Sequence, residues 1–255
     1  MTGQSNNTND NDFLKQANAT LLQGFDLPTR WLRSEKISRM ALIDTGVSAQ
    51  NPYFSQKALE MIGDRTDWAW HGTAVAGMIA ISVTRPIVLH SYNAVQNGRV
   101  QSETVLQLIE AALQDGAQLI NVAMNALLDL RTPRGLKLWQ QWEHVVSLTQ
   151  QAGAQLIVSA GNNGLDLDQI APLKLCPAML PGVLTVGTPE TLYANHGKAV
   201  DITAPGGTDQ LPLITTRSLD YAEYAPSSIR GLPPIFMRSY GTSLAAGLVT
   251  GLLLS

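Results

Sequence analysis

The chain holds one cysteine, Cys176, so no disulfide can form within it, and a lone thiol suits a reducing compartment. It has no basic run. Seventeen Lys and Arg against 20 Asp and Glu leave a net charge of -3, which argues against nucleic acid as the main partner. No apolar stretch approaches the roughly 20 residues that cross a bilayer, so no membrane partner is expected. The opening "MTGQSNNTNDNDF" lacks the basic start and apolar core of a secretory signal, and a cytoplasmic location is the expectation. Histidine is scarce, with four in all. No two are spaced as metal ligands, and no cofactor or metal is expected. Apolar residues, by contrast, make up 45% of 255, with 15% charged, enough for a sizeable core in one large domain.

Residues 1–24 are expected to form a flexible N-terminal extension, rich at first in Asn, Thr and Asp, with the folded domain spanning 25–255. Beyond it, strand-length apolar runs alternate with helix-length patterns. "ISRMALIDTG", "PIVLHSYNAV", "QLINVAM", "QLIVSAGNNG" and "GVLTVGT" read as strands. "HGTAVAGMIAIS" and "LKLWQQWEHVVSLTQQAGA" read as helices. "SETVLQLIEAALQDGA" reads as an amphipathic helix with Ser102 as N-cap, Val105, Leu108, Ile109 and Ala112 on one face, and Gly116 closing it. The alternation implies an α/β fold: a mostly parallel central sheet with helices on both faces in three layers. In such folds, sites collect at the carboxyl ends of the strands.

Four polar residues fall at such ends. Asp44 follows "MALI", His71 opens the "HGTAVAG" helix, Asn162 follows "LIVSAG", and Ser243 opens the last helix in "SYGTSLAAGL". Each has a commonplace reading taken alone: a turn, a surface imidazole, another turn, a helix cap. Together they supply a nucleophile, a base, a carboxylate to orient the base, and an amide donor for a developing oxyanion. His90, His144 and His196 stand on a strand, a helix and a turn, and are read as structural.

The order Asp, His, Ser is that of subtilisin. "LIDTGV", "HGTAVAG", "VSAGNNG" and "YGTSLAAG" resemble the four signatures of the subtilisin-like serine proteases, the subtilases; "CPAMLPGVLTVG" and "AVDITAPGG" resemble segments between the last two. The resemblance covers roughly residues 25–255. It implies a serine endopeptidase acting on a peptide or protein substrate. Ser243 would attack the scissile carbonyl, His71 take and return its proton, and Asp44 orient the imidazole. The Asn162 amide and the Ser243 N–H would bind the oxyanion. A pseudoprotease that only binds peptides, or an acyl transferase on the same scaffold, remains an alternative.

Some positions depart from the family pattern. Gly247 stands where a proline is usual, and Ala74 where a second histidine is common. The chain stops 12 residues after Ser243, so the C-terminal elements are expected to be short or missing, and the 43 residues before Asp44 are not expected to hold both the usual N-terminal segment and a full inhibitory prodomain. Thr208–Met237 is expected to be an elaborated loop near the active site. Tyr53 occupies the place of a calcium-binding aspartate, and "IAISVTRPIVLH" leaves no room for the loop that supplies the other ligands, so that calcium site is expected to be absent. By the resemblance, Ala123, Met124 and Asn125 form one wall of the pocket for the P1 side chain and Leu175 its floor, and Ser159, Ala160 and Gly161 also bind substrate. Asn125 and Leu175 replace glycines, and the expected P1 residue is small.

Overall fold

The computed structural model describes residues 10–28, 37–189, 192–220 and 231–255. Helices α1 (Asp10–Ala17) and α2 (Ala19–Leu22) precede strand β1 (Arg39–Asp44). Next come α3 (Pro52–Ser55), β2 (Leu59–Gly63), α4 (His71–Ala80), β3 (Ile87–Asn93), β4 (Val95–Gln96) and β5 (Arg99–Val100). The middle of the chain holds α5 (Ser102–Gln114), β6 (Leu119–Val122), β7 (Ala126–Asp129), α6 (Pro133–Gln151) and β8 (Gln155–Ser159). The chain closes with β9 (Leu173–Cys176), β10 (Leu184–Gly187), β11 (Ile202–Thr203), β12 (Leu213–Thr216), β13 (Phe236–Ser239) and α7 (Thr242–Leu254).

Seven strands form one sheet in the order β11-β10-β8-β6-β1-β3-β2, and every pairing within it is parallel. The expected architecture is therefore present. Its three layers follow from the period of two along each strand. Met40 and Leu42 face the core shared with α4 and α7, while Ala41 and Ile43 face the core under α5 and α6. Ile157 points to the first of these cores, and Leu156 and Val158 to the second. Because both faces are covered, the strands read as continuous apolar runs.

Contacts between α4 and α7 advance in step. Gly247 lies against Val75 and Met78, and Gly251 against Ile79. The two helices therefore run in the same sense, with His71 and Ser243 at one end. A β-carbon on Gly251 would collide with the Ile79 carbonyl oxygen, and one on Gly247 would sit 2.9 Å from the Val75 carbonyl oxygen. The glycine at the family's proline position is thus a contact surface: it lets α7 pack directly on the α4 backbone. Gly251→Val is expected to destabilise the protein by about 3 kcal/mol or more, since the collision is with backbone. An unchanged denaturation midpoint would refute that close packing.

Three expectations are corrected. Ser102 is the first residue of α5, and the N-cap is Gln101, which makes no side-chain cap bond; Gly116 closes the helix at φ +78° as expected. Part of the expected extension is integral to the fold. Leu14 is fully buried, Phe13 stacks on Phe236 at 4.9 Å, and Asn18 exchanges hydrogen bonds with the Ile214 backbone. Burying these groups ties α1 to the domain, which starts before residue 25. The segment expected as a loop over Thr208–Met237 contains the antiparallel pair β12–β13 at its ends, while residues 221–230 lie outside the described residues. Where a calcium ligand was expected to be replaced, Asn51 caps α3 and Tyr53 is buried.

Candidate active site

β1 delivers Asp44 at its carboxyl end, fully buried. Its Oδ1 accepts hydrogen bonds from the Thr45 N–H at 2.8 Å and from His71 Nδ1 at 2.7 Å. Asp44 Oδ2 is buried without a protein partner among the described residues. The Nδ1 bond to the carboxylate fixes the tautomer with Nε2 free to accept a proton. The His71 side chain keeps 29% of its surface exposed, and the Trp70 and His71 rings meet edge to face with centroids 5.6 Å apart. Burial alone would lower the imidazole's pKa. The charge and hydrogen bond of Asp44, with a further contribution from the charge of Asp67, outweigh it and leave the value raised.

Ser243 is the second residue of α7 and 7% exposed. Its N–H belongs to the helix's first turn, where backbone donors have no intrahelical partner and the dipole's positive end lies. Gly241 precedes it with φ +144°, a conformation open to glycine, and a β-carbon there would press within 3.0 Å of Asn162 Nδ2. Asn162 follows β8 and among the described residues is held from one end only: its Oδ1 accepts from Thr242 N at 2.9 Å and from Thr242 Oγ1 at 2.8 Å. Two donors on the oxygen fix the amide's orientation, so Nδ2 is the end left to donate. Among the described residues no hydrogen bond joins His71 to the Ser243 hydroxyl; such bonds often tighten only once substrate is bound.

The segments expected to flank the P1 side chain lie beside one another. Asn125 Nδ2 donates to the Ser159 carbonyl at 2.8 Å and approaches its hydroxyl at 3.4 Å. The Asn125 side chain therefore bridges these two segments, and its Oδ1 is buried without a partner among the described residues. Leu175, 4% exposed, sets its Cδ2 methyl 3.4 Å from where a β-carbon on Gly161 would lie. Both residues thus reach the segment 159–161. Ala123 packs toward α4 and α7, Ala160 is fully buried, and Met124 packs instead on the α5 and α6 side.

Two side chains passed over in the sequence join these elements. The Thr45 hydroxyl donates to Asp67 Oδ1 at 2.8 Å and accepts from the Gly72 N–H at 2.8 Å. Asp67, fully buried, also accepts from Ala69 N at 3.0 Å, Thr73 N at 2.9 Å and Thr73 Oγ1 at 2.6 Å. A signal existed: a helix starting at His71 has Trp70 before it, which offers no capping oxygen.

A model of the subtilase family matches residues 38–254. The chain is 25% identical over 174 residues to a subtilisin-like serine protease of Rhodotorula mucilaginosa, covering 65% of this chain and 51% of that relative, so it spans about half that relative's length. Among solved structures it is similar to a lanthipeptide protease, at TM-score 0.76 and 25% identity over 84% of this chain and 71% of the other. It is also similar in fold to the epidermin leader peptide processing serine protease of Staphylococcus aureus, at TM-score 0.73 and 17% identity over 97% of this chain and 71% of that one.

Proposed function

The chain belongs to the subtilase family, and on that premise we propose that it is a serine endopeptidase that processes a peptide substrate. The observation that carries the reading is the 2.7 Å bond from His71 Nδ1 to Asp44 Oδ1, at the strand ends where Asn162 and the start of α7 also lie. In the reaction, Ser243 Oγ adds to the carbonyl carbon as His71 Nε2 takes its proton. Asn162 Nδ2 and the Ser243 N–H hold the oxyanion, and His71 returns the proton to the leaving amine. Water then releases the acyl group by the same route. The likeness to a lanthipeptide protease supports a peptide as substrate.

A fluorophosphonate probe tests the reading. It is expected to label Ser243 alone, and the products of a cleaved peptide are expected to carry the mass of one added water. Folded protein that takes no label would favour a peptide-binding pseudoprotease. A product joined to an amine in place of water would favour acyl transfer.

The reach of Asn125 and Leu175 to the segment 159–161 supports a small P1 residue. Ala, Ser or Gly at P1 is expected to exceed Phe in kcat/KM by about tenfold or more, since a packed wall cannot easily yield to an aromatic ring. The double change Asn125→Gly with Leu175→Gly is expected to restore acceptance of large residues in a peptide-library assay. A wild-type enzyme cleaving best after Phe or Tyr would sink this.

A further inference from the structure

Helix α4 carries the base at its first position, and its N-terminus is capped in an unusual way. Trp70, the N-cap residue, has φ +68° and makes no side-chain cap bond. The orphan donors of the first turn are met from elsewhere. Gly72 N–H goes to the Thr45 hydroxyl, and Thr73 N–H goes to the Asp67 carboxylate. Thr45 is bonded to Asp67 in turn, and Thr45 directly follows Asp44. One carboxylate therefore joins the strand end that holds Asp44 to the helix start that holds His71.

We propose that Asp67 is a positioning residue for His71: a second buried carboxylate that locks the Asp44 strand to the His71 helix and whose charge favours the imidazolium formed during catalysis. This rests on the reading of His71 as the base. Four donors converge on the two oxygens of Asp67, an arrangement suited to the ionised form. Burial acts the other way and leaves its pKa raised despite the Thr73, Thr45 and Ala69 bonds. A negative charge at the N-terminus of α4 is also favoured by the helix dipole.

Among the described residues the groups around the pair are few. β1 contributes Asp44, with Arg39 at its far end. The segment before α4 contributes Asp64 and Arg65, both exposed. Beyond β12 stand Arg217 and Asp220, and the latter accepts the Asp67 N–H at 2.9 Å. α7 and β12, which pack against α4, carry no titratable side chain. Removing the Asp67 charge therefore leaves Asp44 as the anion in direct contact with His71.

The decisive variant is Asp67→Asn, read in two ways. NMR titration of His71, in a Ser243→Ala background, needs no turnover; the imidazole is expected to titrate at lower pH than with Asp67 present. The acid limb of kcat/KM, measured with Ser243 intact, is expected to move the same way. A mere loss of packing would lower activity without moving either. A second variant, Thr45→Val, keeps the charge but removes the bridging hydroxyl and reports even if Asp67→Asn fails to fold. Its kcat is expected to fall by about 10- to 100-fold with KM little changed, the scale of a displaced catalytic group. His71 titrating unchanged in Asp67→Asn, or wild-type kcat in Thr45→Val, would overturn the proposal. Failure of the underlying reading looks different: peptide cleavage would then survive Ser243→Ala.

Discussion

Ser243→Ala is expected to abolish peptide hydrolysis while leaving the fold intact. The loss expected is about 10⁶-fold in kcat, the scale subtilisin shows when its serine is removed. Nothing else at the start of α7 can replace the hydroxyl: the neighbours are Gly241, the Thr242 side chain committed to Asn162, and Leu244. What survives is catalysis by the oxyanion donors alone, with water as nucleophile. Stability should hardly change. The hydroxyl makes no hydrogen bond to the protein among the described residues, so its removal leaves no buried donor or acceptor unmet. Peptide turnover and fluorophosphonate labelling should vanish together, with the melting temperature within a few degrees of wild type. Wild-type activity in this variant would refute the assignment of Ser243.

Much of the fold was legible because each strand is short, apolar and followed by a helix of clear period. Arg39–Asp44, Gln155–Ser159 and Leu184–Gly187 each fall within a run readable without any partner. The strand ends that carry Asp44 and precede Asn162, and the helix starts that carry His71 and Ser243, were legible because a parallel sheet gathers strand ends. The bracing of the site was not, because it is made by hydroxyls far away in sequence. Thr215 Oγ1 donates to the Ala74 carbonyl at 2.5 Å, Thr216 Oγ1 to the Thr73 carbonyl at 2.6 Å, and Ser218 Oγ to the Asp67 carbonyl at 2.5 Å. In sequence "TTRS" is an unremarkable polar run, and only the pairing of β12 with β13 aims it at α4. Asn18 was hidden likewise: its value lies in bonds to Ile214, 196 residues away. Local pattern carries the elements, but not which distant polar side chains satisfy their ends.

Asn162→Ala is expected to lower kcat by about 10²–10³ with KM little changed, as loss of one oxyanion donor does in subtilisin. The split between kcat and KM follows from where the charge is. A ground-state carbonyl oxygen carries little charge, so losing the amide costs little binding; the tetrahedral oxyanion carries a full charge and feels the loss. The geometry makes Nδ2 available for this role. Thr242 N–H and Oγ1 hold Oδ1 at 2.9 and 2.8 Å, so the amide cannot flip without losing both bonds. Asn162 is itself exposed, and its truncation opens no core cavity. Thr242 loses an acceptor, yet its hydroxyl still accepts from the Gly161 N–H at 3.1 Å, which keeps the start of α7 tied to the end of β8. The Ser243 N–H remains as the second donor, so activity should fall short of complete loss, unlike that of Ser243→Ala. Steady-state kinetics on one good peptide substrate decide the matter. A rise in KM at constant kcat would assign Asn162 to substrate binding, and an unchanged kcat/KM would remove it from the oxyanion hole.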